Sequence, residues 1–180
     1  MHASQDASPG LPLLERWLRR ACPAIHAARA AAVVAVVGVL VRGGKLALTH
    51  LGRNLRSGAM PKHNIKRVDR LLGNHHLRCE RRDIYCAIAQ WLLAAVARPV
   101  LLVDWADCTD RAEGTKGERW LLLRAAVPLG GRAIPIYEEV HPLGRYNSPR
   151  THRRFLMSLR DALPATCLPI LVTDAGFRGP

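Results

Sequence analysis

Residues 99–104 read PVLLVD and residues 168–174 read LPILVTD. Each is a short, unbroken apolar run that ends on an aspartate. Runs of this length and composition read as strands buried on both faces. Between them, Glu118 to Val127 and Arg132 to Val140 form two more strands, joined through Gly130-Gly131 as a hairpin. Pro135 has no N–H to give a ladder, so its strand is expected at a sheet edge. Ser148-Pro149 opens a helix, Ser as cap and Pro in the first turn. Phe155, Leu156, Leu159 and Leu163 form its buried stripe, and Pro164 ends it. The order is strand, strand, strand, helix, strand.

Upstream the periodicity is helical. Pro12 opens a first helix with Leu14, Trp17, Leu18 and Ala21 on one face, and Pro23 closes it. Ala24 to Val41 is apolar almost all round, which suits the centre of a bundle, and Gly43-Gly44 stops it. Thr49 is placed to cap a short helix running to Arg56, and Gly58 with Pro61 marks a turn. Lys62 to Leu72 follows, with Ile65, Val68, Leu71 and Leu72 expected inward. Asp83 to Ala97 carries Ile84, Ile88, Trp91, Leu92 and Ala95 at helical spacing. The longest apolar run, Ala30 to Val41, falls short of the ~18 residues of a membrane span. No membrane association and a cytoplasmic location are expected.

The chain has 180 residues, 49% of them apolar, and a formal net charge of +13. That composition supports a sizeable core and excludes an acidic solvating chain. Residues 1–97 hold 15 Lys/Arg against 5 Asp/Glu, and residues 98–180 hold 12 against 9. A basic front half, net +10, thus meets a nearly balanced back half, net +3, at about Arg98-Pro99. A polyanionic partner fits this balance. Lys62, His63, Lys66, Arg67 and Arg70 crowd the polar side of one helix. With the short helix and turn before it, they suggest a helix-turn-helix-like unit whose second helix can enter a major groove. A solvated bundle face is the plainer reading of the same charges. Arg78, Arg81 and Arg82 are further phosphate-contact candidates, diluted by Glu80 and Asp83. Arg150, Arg153 and Arg154 begin the later helix.

Other chemistries find little support. The cysteines at 22, 79, 86, 108 and 167 form no CxxC pair and read as scattered buried thiols. His75-His76 reads as loop without metal-ligand spacing. Gly43-Gly44-Lys45 lacks the spacing of a phosphate loop. The carboxylates say more. Asp104 and Asp174 each sit at the C-terminal tip of an apolar strand, where a charge needs a partner, a hydrogen bond or a metal. If the two strands are parallel neighbours, both tips emerge together. Their carboxylates can then share one divalent cation or a pair, of the kind that drives phosphodiester chemistry. Caps of a loop or helix are the simpler alternative for each. Asp107 reads as a loop cap or as a support for a metal-bound water. Glu138 and Glu139 are neighbours on the expected edge strand and face opposite sides, so at most one can face the helix-covered side, and neither is expected at the Asp104 tip.

The segments LLVDWADCTD (101–110), YNSPRTHRRFLMSLRDALP (146–164) and PILVTDAGFRGP (169–180) resemble the catalytic core of bacterial insertion-sequence transposases of the insertion-sequence-four group of DDE enzymes. LTHLGRNLRSGAMPKHNIKRVDRLLGN (48–74) resembles that family's DNA-binding region. The resemblance implies an α+β / α/β chain: an all-helical DNA-binding bundle over 1–97, then an incomplete ribonuclease H-like domain over 98–180. It implies Asp104 and Asp174 as the first two metal-binding acids, and Mg2+ or Mn2+ as cofactor in a two-ion site. The implied partner is double-stranded DNA at the element's ends, bound by a homodimer in a synaptic complex. The family's third acid is a Glu in a Tyr-Arg-Glu-Lys type segment. No Asp or Glu follows Asp174 here, and the expectation is a truncated form inactive by itself, alternatively a non-catalytic DNA-binding remnant. Arg178 is a further candidate for a DNA phosphate.

Overall fold

The computed structural model describes residues 10–108 and 119–177. Glu118 and Arg178, read above as a strand start and a phosphate contact, lie outside them. The described residues form an α+β chain with six α-helices and a four-stranded mixed sheet. Contacts divide it into two compact units, Met1–Ile84 and Tyr85–Pro180. This division falls inside a helix, whereas the charge shift falls at Arg98-Pro99.

The first unit contains α1 (Gly10–Ala21), α2 (Ala27–Val41), α3 (Leu48–Arg53), α4 (Pro61–Leu72) and the start of α5 (His75–Leu93). Val39 of α2, Leu51 of α3 and Val68 of α4 form one buried cluster. Gly52 makes this packing possible: a Cβ there would lie 2.5 Å from Ile65 Cα. Asn64 is buried and accepts a hydrogen bond from Ser57 Oγ at 2.8 Å, which ties the connection after α3 to the first turn of α4. Thr49 does not cap α3; the cap position is Ala47, one residue before the helix begins at Leu48. Leu72 is 61% exposed rather than inward. The buried stripe of α4 is Asn64, Val68 and Leu71, and Leu72, at the helix end, has turned past it. No helix among the described residues is long and apolar enough to cross a membrane.

In the second unit, β1 (Val100–Asp107), β2 (Trp120–Leu129), β3 (Arg132–Pro142) and β4 (Ile170–Thr173) lie in the order β3-β2-β1-β4. The β1–β2 and β2–β3 pairs are antiparallel, and β1–β4 is parallel. Gly130 and Gly131, at φ 56° and 76°, make the hairpin turn that only glycine enters freely. Pro135 does sit on an edge strand, at a register shift between Ala125 and Ala126 of β2. α6 (Pro149–Ala162) supplies Phe155 and Leu159 to a core shared with Leu101, Val103, Leu123, Ile136 and, from α5, Ala89 and Leu93. Trp91 is 70% exposed, not inward. It lies two residues, about 200°, from both Ala89 and Leu93 on the helix.

Three other expectations are corrected. His75 and His76 open α5 instead of lying in a loop. Cys79 and Cys108 are exposed thiols. The two apolar strands are not buried on both faces: β1 alternates, with Leu101 and Val103 buried and Asp104 exposed, and all four residues of β4 are exposed. A continuous apolar run therefore overstated burial for an edge strand and for the face of β1 that carries Asp104.

Candidate functional site

The parallel pairing of β1 with β4 fixes the acids. Val103 pairs with Thr173, and Asp104 and Asp174 are the next residue on each chain segment. Neighbouring strands run about 4.8 Å apart. β4 ends there, but β1 continues to Asp107, paired with β2. Asp104 therefore stands within β1, at the end of its pairing with β4, rather than at a strand tip. Antiparallel pairing with Leu121 to Leu123 keeps residues 105–107 in the sheet.

Both carboxylates are exposed and held by local backbone. Asp104 Oδ1 accepts the Trp105 N–H at 2.7 Å, and Asp174 Oδ1 accepts the Gly176 N–H at 3.0 Å. The other described acids of this unit have side-chain partners. Asp107 pairs with Arg119 at 2.9 Å, so it is a strand-end ion pair rather than a loop cap. Glu138 is bonded by Arg124 at 2.5 Å and by the Tyr85 hydroxyl at 3.0 Å. Glu139 accepts from the Tyr137 hydroxyl and lies 3.1 Å from His141. Asp161 meets Arg160 at 3.2 Å. Among the described residues, Asp104 and Asp174 are bonded only through backbone N–H groups. Asp104 and Asp174 are thus two exposed carboxylates at the end of the β1–β4 pairing. Among the described residues, no group of three or more His, Cys, Asp or Glu is placed to hold a metal ion.

An aromatic cluster lies beside the acids that the sequence reading did not single out. Trp105 follows Asp104 directly. Its Nε1–H donates to His152 Nε2 at 3.0 Å, and its ring meets His141 and Tyr146 edge-on, each at 5.6 Å. His152 in turn stacks on Phe177. Burial holds the imidazole below its usual pKa, and the negative charge of Asp174 opposes that shift without reversing it. A buried polar residue on a helix face that otherwise reads as apolar was the available signal: His152 lies three residues before Phe155. Asn147, half-buried in the turn before α6, is in the left-handed region at φ 50°. Its carboxamide and the Asp174 carboxylate both lie about 3 Å from the point where a Cβ on Gly176 would sit.

In the first unit, Lys62, His63, Lys66, Arg67 and Arg70 are all exposed on α4, whereas Asn64, Val68 and Leu71 are buried. Arg67 also reaches Asn64 Oδ1 at 3.4 Å. The helix that carries them packs closely on α3 at Gly52 and Ile65. Arg150, Arg153 and Arg154 are likewise exposed at the start of α6. No protein-family model, curated protein or solved structure matches this chain.

Proposed function

We propose that this chain is a DNA-binding protein of the DDE transposase type, in which α3 and α4 engage duplex DNA and Asp104 and Asp174 are two of the metal-binding acids. The observation that carries the reading is the parallel register of β1 and β4, which sets two acids without cationic side-chain partners among the described residues on neighbouring strands. The sheet order β3-β2-β1-β4, with a helix between β3 and β4, supports a ribonuclease H-like arrangement. The exposed row of Lys62, His63, Lys66, Arg67 and Arg70 supports phosphate and base contacts from a helix held rigidly by its neighbour.

Asp104 and Asp174 would hold Mg2+ or Mn2+, and such an ion supplies charge stabilisation for phosphodiester cleavage and strand transfer. The chain's own contribution would be to bring the two acids to neighbouring backbone positions, each carboxylate bonded by a backbone N–H. A two-ion site needs more protein ligands than these two. The expected state of residues 1–180 alone is therefore DNA binding and weak cation binding without strand cleavage. Paired binding of two DNA ends by two copies, in the cytoplasm, belongs to the same reading. A second reading is a protein that occupies DNA ends without cutting them.

The test uses DNA from either side of the chain's own coding region as probe. Footprinting should reveal protection at a sequence that recurs, inverted, on both sides, and Lys66→Ala with Arg67→Ala should remove it. Binding no stronger than to random DNA of equal length refutes the end-binding reading. Mn2+ titration separates the two readings: binding lost in Asp104→Ala and in Asp174→Ala supports the metal site, and binding unaffected by both leaves only a DNA-occupying protein.

A further inference from the structure

His152 touches both segments that carry the paired acids. It is 7% exposed on α6. Its edge accepts the Trp105 indole N–H at 3.0 Å, and its face lies on Phe177, with ring centroids 3.9 Å apart and planes within 11°. The backbone completes the link on each side. The Trp105 N–H donates to Asp104, and the N–H of Gly176, the residue before Phe177, donates to Asp174. One imidazole thus grips two aromatic side chains, and the amides of those residues or their immediate neighbour bind the two carboxylates. Trp105 is enclosed further by His141 and Tyr146, so its ring has little room to turn once His152 holds its N–H.

We propose that His152 is a positioning residue for Asp104 and Asp174, setting their spacing for a shared divalent cation through Trp105 and Phe177. The proposal rests on the reading of the pair as a cation site. It assigns two separable duties to the ring: an acceptor for Trp105 and a flat face for Phe177. Groups outside the ligand set that orient the ligands change metal affinity by roughly 10–100-fold when removed. A side chain that merely filled core volume would change stability without a preference for one duty over the other.

Substitutions can divide the duties. His152→Gln keeps an acceptor near the position of Nε2 and loses the ring. His152→Phe keeps a ring for Phe177 and leaves the Trp105 N–H without its acceptor. His152→Ala loses both. The experiment is Mn2+ titration of the full chain by calorimetry, with the Trp105 indole N–H followed by NMR and assigned through Trp105→Phe. The expected result is Mn2+ binding that Asp104→Ala and Asp174→Ala abolish and that His152→Ala weakens by about 10-fold or more. His152→Gln and His152→Phe, each losing one duty, should each weaken binding less than His152→Ala, and His152→Gln should keep its indole signal nearer the parent position. If His152→Ala fails to fold, these two variants decide. Mn2+ affinity within twofold of the parent in all folded variants overturns the proposal while the acids' role stands. Mn2+ binding that survives both aspartate substitutions overturns the cation-site reading and the proposal with it.

Discussion

Gly52→Ala should destabilise the α3–α4 unit although alanine is the better helix former. Gly52 is buried in α3, and a Cβ built there lies 2.5 Å from Ile65 Cα, 2.6 Å from its Cγ1 and 2.7 Å from its backbone N. Carbon atoms rest at about 3.5–4.0 Å, so the two helices must part by roughly 1 Å. Two of the three close atoms belong to the α4 backbone, and no rotamer change removes them. Helix propensity favours Ala over Gly by about 1 kcal/mol. Overpacking of a tight contact costs about 1–3 kcal/mol, and a backbone obstacle puts this case at the upper end. Separation also loosens the cluster of Val39, Leu51 and Val68. The net expectation is a loss of about 2 kcal/mol. Urea titration followed by circular dichroism measures it, and hydrogen exchange assigns the loss to α3 and α4. Gly58→Ala is the control, because nothing lies within 4 Å of its added Cβ; it should be neutral or stabilise by up to about 1 kcal/mol. A Gly52→Ala protein with an unchanged or higher midpoint, at unchanged slope, refutes the close-packing argument.

Three further outcomes follow from the same structure. Replacement of Lys62, Lys66, Arg67 and Arg70 by Ala should flatten the dependence of log affinity on log salt for duplex DNA by up to about 3.6, at about 0.9 per phosphate contact; an unchanged slope removes α4 from the interface. The folded His152 holds a lowered pKa, so between that value and the usual ~6.5 the unfolded chain binds a proton that the folded one does not. Stability from this group is therefore present above about pH 6.5 and is lost as pH falls below it, and unfolding midpoints of His152→Gln should fall less over that window than those of the parent. Amides of Ile170 to Thr173 should exchange faster than those of Leu121 to Ala125, because β4 is an exposed edge and β2 is central; equal protection would show that the edge is covered.

Much of the second unit was legible because local signals and the tertiary outcome agreed. Gly130-Gly131 forces its hairpin, Pro135 is tolerated only where an N–H is not needed, and Pro149 starts α6 at the first position where it is harmless. The errors arose where pattern and packing part company. An apolar run such as Ile170 to Val172 says that a strand pairs and excludes water somewhere, but not which face is covered. Trp91 and Leu72 fit a helical apolar period and yet face outward, because the buried stripe is set by which residues meet the neighbours. The candidate site was legible only in its acids. Two strand-associated aspartates stand out in a sequence. The residue that links their segments does not, because His152 acquires its role from Trp105 and Phe177, 47 residues before it on the chain and 25 after.

The same sheet explains why Glu138 does not complete the acid pair. Asp104 pairs with Arg124, and Arg124 pairs with Glu138, so the three form one row across β1, β2 and β3. Directly paired residues share a face, which removes face as an objection to Glu138. Distance and charge remain. Two strand spacings separate Glu138 from Asp104, roughly 9–10 Å along the backbone row. Arg124 stands between them and is bonded to one Glu138 oxygen, while the Tyr85 hydroxyl donates to the other. To bind a cation near Asp104, Glu138 would have to leave both partners and pass a guanidinium that repels the cation. The row therefore keeps the negative charge of Glu138 compensated within the sheet. Asp104, whose own carboxylate is bonded by a backbone N–H, remains available on the side of β4. On the proposed reading, a cation at Asp104 would therefore be shared with Asp174 and not with Glu138.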